Sequence, residues 1–272
     1  MIVLKSAREI GLMRKAGHIL ADVMDRLRAT VKPGLSTLEI DQAVDAFLAQ
    51  RGATPSFKGY RGFPATVCVS INEEVVHGIP SAARRIAEGD IVGLDLGCIV
   101  DGYHADCAFT LAVGEIPVNV QKLLDVTRES LDLAIKECWP GRRLSDVSHA
   151  VQSHVEAHGL SVVRAFVGHG IGRALHEEPQ VPNFGDPGRG PQLGPGMVLA
   201  LEPMVTMGSW EVKILDDGWT AVTKDGSLAA HFEHTVAVTA GEPWILTARS
   251  AAVGARREGT ERPQVGVAPR VP

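Results

Sequence analysis

The stretch Ile91-Val-Gly-Leu-Asp-Leu-Gly-Cys-Ile-Val100 is largely apolar, carries one carboxylate in its middle and is followed directly by Asp101-Gly102. Asp-Gly is typical of the two-residue turn of a β-hairpin, because such turns need residues that accept a positive φ. A second strand-like segment then runs from Tyr103 to Val113. We therefore predict two long antiparallel strands with acids hidden among apolar residues.

The register of this hairpin determines whether its two aspartates can act together. If Val100 faces Tyr103 across the turn, Asp106 faces Gly97, two residues from Asp95 on the same face. The two aspartates are then diagonal neighbours whose backbones lie roughly 7 Å apart. A shift of one residue would place them on opposite faces, and the polar outer face of an edge hairpin is the alternative interpretation.

Two further acids lie in comparable surroundings. Glu202 interrupts the apolar segment from Met197 to Val205, and Glu233 lies in the strand-like segment at 231–239. A carboxylate buried in such a segment is costly unless it is paired or bound to a metal ion. Three strand interiors that each contain an unexplained acid therefore favour a metal site over an accident of the surface.

The histidines complete the pattern. His169 lies among glycines, which let the backbone approach a ligand closely, and we take it as the single nitrogen ligand. His77 and His176 remain free to act as donors to a substrate or to its tetrahedral intermediate. We interpret His231 and His234, which flank Glu233, as supporting or surface residues rather than ligands.

Together these residues indicate a hydrolase that activates water between two metal ions. The predicted ligands are Asp95, Asp106, His169, Glu202 and Glu233. This oxygen-rich set has the ligands that Mn(II), Fe(II) or Co(II) prefer and differs from a thiolate zinc site. We expect two divalent ions, and the sequence leaves open whether they are Co, Mn, Fe or Zn. Two such ions would lower the pKa of a shared water from ~15.7 toward neutrality, and the resulting hydroxide would attack a carbonyl.

The elements follow each other in two similar rounds. Capping boxes at Ser6–Glu9 and Ser36–Glu39 predict two helices that end before Pro33-Gly34 and at Gly52. A second pair of helices is predicted at 118–139 and 144–158. Strands are predicted at 65–71, 91–100, 103–113, 161–167, 197–205, 210–214, 220–223 and 231–239. The order predicts an α+β fold of two similar helix-helix-strand halves, and the sequence leaves open whether they arose by duplication.

Bulk properties exclude several classes of protein. A net charge of −5 over 272 residues argues against a nucleic-acid-binding protein with a basic face. The four cysteines form no Cys-x-x-Cys pair, so we expect free thiols in the cytoplasm. We find no signal-peptide pattern and no apolar run of about 18 residues. Residues 1–248 are expected to form the catalytic domain, and residues 249–272 a disordered tail.

The ordered set of five ligands resembles the metal site of type I methionine aminopeptidases, which have the pita-bread fold. The surrounding motifs match over about residues 5–247, and they are Tyr60-Arg-Gly-Phe-Pro64, Cys68-Val-Ser-Ile-Asn-Glu73, His77-Gly-Ile-Pro80, Gly168-His-Gly-Ile-Gly172, His176-Glu-Glu-Pro-Gln180, Leu201-Glu-Pro-Met204 and Phe232-Glu-His-Thr235. The resemblance implies two pseudo-symmetric halves around a central antiparallel sheet. It also implies removal of the N-terminal methionine from nascent chains whose second residue is small.

The resemblance assigns a role to each ligand. Asp95 would bind one metal ion through both oxygens, while Asp106 and Glu233 would bridge the two ions. His169 and Glu202 would complete the second ion, and Glu202 would also accept a proton from the attacking water. A monomer that contacts the ribosome transiently in the cytoplasm is the expected form.

The resemblance also assigns the residues around the substrate. His77 would contact the scissile amide nitrogen, and His176 the developing oxyanion. The expected lining of the methionine pocket is Tyr60, Phe63, Cys68 and Trp219. Arg61 stands where some relatives have a histidine, and Phe57 and Leu175 also differ from some members of the family, so the sequence leaves the shape of this pocket open.

Other functions remain as alternatives. Aminopeptidase P and prolidase share the five ligands, but they usually carry an additional N-terminal domain. An inactive pita-bread protein that only binds peptides would typically lack one or more ligands, whereas this chain has all five and both histidines. A purely structural metal site would not need two free histidines beside it.

Overall fold

The computed structural model describes residues 1–249. The described helices are α1 (Ala7–Thr30), α2 (Thr37–Gln50), α3 (Val118–Lys136) and α4 (Leu144–Ala157). The described strands are β1 (Thr54–Pro55), β2 (Val67–Ile71), β3 (Glu74–Val76), β4 (Ile91–Val100), β5 (Tyr103–Ala112), β6 (Ser161–Val162), β7 (Gly168–Gly170), β8 (Glu177–Val181), β9 (Val198–Leu201), β10 (Met204–Thr206), β11 (Val212–Ile214), β12 (Ala221–Thr223), β13 (Ala229–His231), β14 (Glu233–Ala237) and β15 (Trp244–Ile245). A 3-10 turn, Tyr60–Gly62, lies between β1 and β2.

The predicted capping boxes begin the first two helices. The Glu9 amide donates to Ser6 Oγ at 3.4 Å, and the Ser6 amide donates to the Glu9 carboxylate at 2.8 Å. Ser36 and Glu39 make the same reciprocal pair at the start of α2. Each pair supplies partners for backbone donors that a helix start would otherwise leave unbonded, so the local sequence alone fixes where these helices begin.

The predicted hairpin lies at the centre of the main sheet. β4 and β5 pair in antiparallel fashion with Val100 opposite Tyr103 and Gly97 opposite Asp106, which confirms the predicted register. Nine antiparallel strands form this sheet, in the order β1-β4-β5-β14-β9-β7-β8, with β2 also on β4 and β15 also on β14. The hairpin of the first half therefore joins the strands of the second half through the β5–β14 pair.

The two faces of this sheet have different environments. One hydrophobic cluster packs α1 and α2 against β2, β4 and β5, and a second packs α3 and α4 against β9 and β14. Leu94 and Leu96 of β4 belong to the first cluster, so Asp95 between them points to the opposite face. Alternation along β5 places Asp106 on that face as well, because Ala105 and Cys107 lie in the cluster.

Several strands differ from their predicted bounds. The segment predicted at 161–167 forms only β6, at Ser161–Val162. The strand predicted at 197–205 divides into β9 and β10, because Pro203 has no amide hydrogen with which to continue the ladder. The predicted 231–239 strand also divides, at Phe232 between β13 and β14. Sequence patterns did not predict β1, β3, β7, β8 or β15, since each of these strands has only two to five residues.

The described residues end just after the predicted catalytic domain. Of the predicted tail at 249–272, only Arg249 is described, so the prediction for the tail lies outside the described residues. Within residues 1–249, no helix combines the length and the apolar character needed to cross a membrane.

Candidate metal centre and catalytic cavity

All the predicted site residues line one cavity of about 160 Å³. They are Tyr60, Phe63, Cys68, His77, Asp95, Asp106, His169, His176, Glu202, Trp219 and Glu233. Phe57, Arg61 and Leu175 complete the lining. Residues from both halves of the chain thus meet on the sheet face that the helices leave open.

The two aspartates of the hairpin lie on the floor of this cavity. Asp106 is 4% exposed, and its backbone amide donates to Thr235 Oγ1 at 2.9 Å. Thr235 Oγ1 donates in return to the Asp106 carbonyl at 2.8 Å. This reciprocal pair joins β5 to β14 and holds the Asp106 backbone in place. Asp95 of β4 lies on the same face of the sheet as Asp106 and is paired with Ala108 of β5.

The two glutamates approach from β9 and β14. Glu233 is the first residue of β14, is 2% exposed and pairs with Ala108 of β5. Glu202 lies in the break between β9 and β10, so the interpretation that it sits inside a continuous strand was wrong. The Asn183 side chain donates to the Glu202 carbonyl at 2.9 Å and so replaces part of the lost ladder.

The site contains buried oxygen and nitrogen atoms without partners. Among the described residues these are Asp95 Oδ1, Asp106 Oδ1, Glu233 Oε1 and His231 Nε2. Asp106, His169 and Glu233 each offer a donor atom, and these atoms lie within 4.8 Å of one another. Buried polar atoms are normally hydrogen-bonded. A group of buried carboxylate oxygens without hydrogen-bond partners therefore fits a site that binds a cation.

Burial also disfavours the charged forms of these acids. It raises the pKa of Asp106 from 3.8 to about 7. Burial, followed by repulsion from neighbouring carboxylates, raises the pKa of Asp95, Glu202 and Glu233 well above their ordinary values. Carboxylates packed this closely need either protons or cations, and divalent cations are the stronger competitors near neutral pH.

His169 presents a lone pair to these acids. Its Nδ1 lies 2.9 Å from the Gly170 carbonyl, which can only accept, so Nδ1 carries the proton. Burial lowers the pKa of His169 to about 4, so the ring is neutral near pH 7. The unprotonated Nε2 then lies 3.5 Å from Glu202 Oε1. Two electron-rich atoms facing each other fit a metal ion or a proton between them.

The predicted methionine pocket forms an apolar wall beside the acids. Phe63 and Cys68 are both buried in a small cluster, against which Phe57 and Trp219 pack. The rings of Phe63 and Trp219 meet edge to face at 5.1 Å. An apolar wall next to a polar floor is typical of small-molecule sites and would orient a substrate with its apolar side chain away from the ligands.

His77 and His176 lie on the walls of the cavity. Burial, with a smaller contribution from His176, lowers the pKa of His77 to about 4. Burial, Arg61 and His104 lower the pKa of His176. His176 Nδ1 lies 2.8 Å from the hydroxyl of Tyr60. Both imidazoles are therefore neutral near pH 7 and able to donate one N–H each.

His231 and His234 differ from each other in position. His231 is 3% exposed, and its Nε2 lies 3.9 Å from Glu202 Oε2. His234 bonds to Thr247 Oγ1 at 2.8 Å and faces the helices, since its β5 partner Cys107 belongs to the helix-side cluster. The sequence analysis did not predict that His231 lies beside Glu202. Its position two residues before the candidate ligand Glu233 was the sequence feature that could have indicated a place near the site.

Comparison with known proteins shows the family to which this chain belongs. The model for metallopeptidase family M24 matches residues 11–240. The methionine aminopeptidase 1 of Bacillus subtilis is 54% identical over 247 residues, which are 91% of this chain and 99% of that protein. The crystal structure of a methionine aminopeptidase from Thermotoga maritima has a TM-score of 0.90 and 47% identity, and the match covers 92% of this chain and 100% of that one.

A prolidase from Pyrococcus horikoshii shares the fold alone. Its TM-score is 0.75 at 21% identity, and the match covers 93% of this chain but 65% of that one. These likenesses confirm the predicted pita-bread fold. Because identity to methionine aminopeptidases is far higher and extends over nearly the whole of those proteins, the chain belongs to metallopeptidase family M24 and, within it, to the methionine aminopeptidases.

Proposed function

We propose that this protein removes the N-terminal methionine from peptides and nascent proteins with a small second residue, and that it uses two divalent metal ions. The observation that carries the proposal is the set of unpartnered carboxylate oxygens on the floor of the cavity, directly beside the lone pair of His169. A metal-dependent aminopeptidase needs such a cation site next to a pocket that fits one residue, and the apolar wall would form that pocket.

Asp95, Asp106, His169, Glu202 and Glu233 would hold the ions. The ligand atoms of Asp106, His169 and Glu233 lie within 4.8 Å of one another and would hold one cation together, and Asp95 and Glu202 in the same cavity would supply the remaining oxygen ligands. When bound, two such ions would act as Lewis acids and make a water molecule nucleophilic at neutral pH. Glu202, whose carboxylate lies 3.5 Å from His169 Nε2, would accept the proton from the attacking water.

The remaining residues would position the substrate. Phe63, Cys68 and Trp219 would enclose the methionine side chain, and Tyr60 would form one edge of the pocket. His77 would contact the nitrogen of the scissile amide. His176 would donate to the carbonyl oxygen as it gains negative charge. In the cytoplasm the four unpaired cysteines would stay reduced, and a monomer would meet the nascent chain transiently at the ribosome.

Peptide hydrolysis tests this proposal. The purified protein is stripped with a chelator and assayed on Met-Ala-Ser, with Mn(II), Fe(II), Co(II) or Zn(II) restored separately. We expect metal-dependent release of free methionine and little release from Met-Lys-Ser. Titration of the ion against activity gives the number of ions that turnover needs. Cleavage of Xaa-Pro peptides instead would favour a prolidase, and cleavage of neither would favour a peptide-binding protein.

A further inference from the structure

Two neighbouring histidines of the cavity have opposite hydrogen-bond partners. The rings of His169 and His176 lie 4.2 Å apart between centroids. His169 Nδ1 faces a backbone carbonyl, that of Gly170, at 2.9 Å. His176 Nδ1 faces a phenol hydroxyl, that of Tyr60, at 2.8 Å. Because the partner of one ring nitrogen determines which nitrogen carries the proton, the two rings need not present the same atom to the substrate.

The Gly170 carbonyl determines the tautomer of His169. Gly170 O can only accept, so the proton is on Nδ1 and the lone pair is on Nε2. The Tyr60 hydroxyl can either donate or accept, so His176 has two possible arrangements. If His176 Nδ1 donated, the Tyr60 O–H would have to turn to solvent, since His176 is its one hydrogen-bond partner among the described residues. The ring would then present a second lone pair to a cavity already lined by four carboxylates.

Donation by Tyr60 gives the better arrangement of charge. The phenol O–H bonds to His176 Nδ1, and the proton of the imidazole resides on Nε2. Presented to the cavity, that N–H can donate to the carbonyl oxygen of a substrate, whereas a lone pair at the same position could not. The two histidines then have different roles in the cavity, because His169 presents a lone pair on Nε2 and His176 presents an N–H group.

We propose that Tyr60 is a positioning residue whose hydroxyl fixes His176 in the tautomer that donates from Nε2 to the substrate carbonyl oxygen. The proposal rests on the function proposed above, and it assigns Tyr60 a role beyond lining the methionine pocket. Its ring also stacks on the imidazole, with 5.3 Å between centroids and 24° between planes. The hydroxyl sets the tautomer, and the ring sets the orientation.

The backbone holds Tyr60 in this place. It begins the 3-10 turn Tyr60–Gly62, which Gly59 precedes at φ 84° and Gly62 ends at φ 91°. Arg61 adopts φ 50° there and places its guanidinium 5.4 Å from the Tyr60 ring centroid. Such a constrained turn reduces the freedom of the hydroxyl and therefore the entropy lost in forming the bond.

Kinetics on four variants test this role. Tyr60→Phe removes the hydroxyl and keeps the ring, and we expect kcat for Met-Ala-Ser to fall about tenfold while KM changes less than about twofold. His176→Ala should lower kcat further, and the double variant should match His176→Ala alone because the hydroxyl then has nothing to position. Tyr103→Phe is the matched control, since Tyr103 donates to Glu9 at 2.6 Å outside the cavity, and it should keep kcat within about twofold.

A spectroscopic measurement tests the tautomer itself. Long-range proton–nitrogen spectra of the full chain, with ¹⁵N-labelled histidine and Zn(II) added, distinguish Nδ1–H from Nε2–H rings. His176, assigned by its loss in His176→Ala, should be in the Nε2–H form, and Tyr60→Phe should produce a mixture of the two forms.

The outcomes separate this inference from the proposed function. An unchanged kcat in Tyr60→Phe, or an equal loss in the His176→Ala background, would overturn the role of Tyr60. An Nδ1–H ring in the unaltered protein would overturn it as well. If the unaltered protein releases no methionine, or if His176→Ala is fully active, the proposed function or the role of His176 in it fails, and the spectra still decide whether Tyr60 sets the tautomer.

Discussion

Asp106→Asn should stabilise the metal-free protein while abolishing its activity. Asp106 is buried, and its Oδ1 has no hydrogen-bond partner. In metal-free protein its charge is repelled by the acids that share the cavity floor. The amide has nearly the same shape, carries no charge and can donate to neighbouring carboxylates, so it removes the repulsion without leaving a void.

The expected size of the effect follows from the pKa. The pKa of Asp106 rises from an ordinary 3.8 to about 7 in the folded protein because the group is buried. At about 1.36 kcal/mol for each pKa unit, folding with an ionised Asp106 costs up to about 4 kcal/mol. The folded pKa is the higher one, so stability is fully present below about pH 4 and is lost as the pH rises through about 7.

Urea unfolding measures this effect. Wild type and Asp106→Asn are unfolded in a chelator at pH 5 and at pH 8, with circular dichroism as the signal. We expect the variant to be more stable by up to about 4 kcal/mol at pH 8 and by less than half of that at pH 5. Saturating Mn(II) should reverse the order at pH 8, because binding stabilises only a protein that keeps its ligands.

A second aspartate provides the control. Asp186→Asn removes a charge from an exposed position and should leave the free energy of unfolding within about 0.5 kcal/mol at both pH values. The reasoning is refuted if Asp106→Asn destabilises the metal-free protein at pH 8. A difference between variants that does not change with pH would also contradict it, because the cost would then not come from ionisation.

Two further predictions concern contacts outside the cavity. Lys5→Met leaves Glu177 without the ammonium that lies 2.6 Å away in a buried pair, so urea unfolding should show a loss of about 3 kcal/mol, and adding Glu177→Gln should recover most of it. Gly17→Ala would place a Cβ in steric conflict with the Leu246 carbonyl oxygen and should lower the free energy of unfolding by about 1–3 kcal/mol. Gly11→Ala in the same helix meets open space and should instead be neutral or stabilising by up to about 1 kcal/mol, so equal losses in both variants would point to the helix rather than to the contact.

Local signals predicted the elements that build the site. Each capping box lies within four residues and begins its helix where expected. The hairpin register needed only the Asp101-Gly102 turn, because the two-residue period of strands then determines every pair along β4 and β5. These features depend on neighbours in the chain, so one sequence is sufficient to predict them.

The course of the chain around Glu202 was less predictable. An apolar run from Met197 to Val205 has the pattern of one strand, yet Pro203 divides it into β9 and β10. The break allows the Glu202 side chain to lie 3.5 Å from His169 Nε2 and 3.9 Å from His231 Nε2. The hydrophobic pattern of a segment does not show that proline lacks a backbone N–H. A strand predicted from this pattern alone is therefore too long when it contains a proline.

The amino-acid pattern alone predicts the helix starts, the hairpin register and the five candidate ligands, because each of these predictions depends on residue type and on short-range geometry. Which side chains contact each other follows from the packing of the folded chain. Tyr60 and His176 are 116 positions apart, and Asp106 and Thr235 are 129 apart. Such pairs form only when the two halves pack through β5 and β14, and that packing depends on the whole of both cores rather than on any local pattern. The tertiary structure therefore gives His169 a carbonyl partner and His176 a phenol partner, although the sequence had already supplied both histidines.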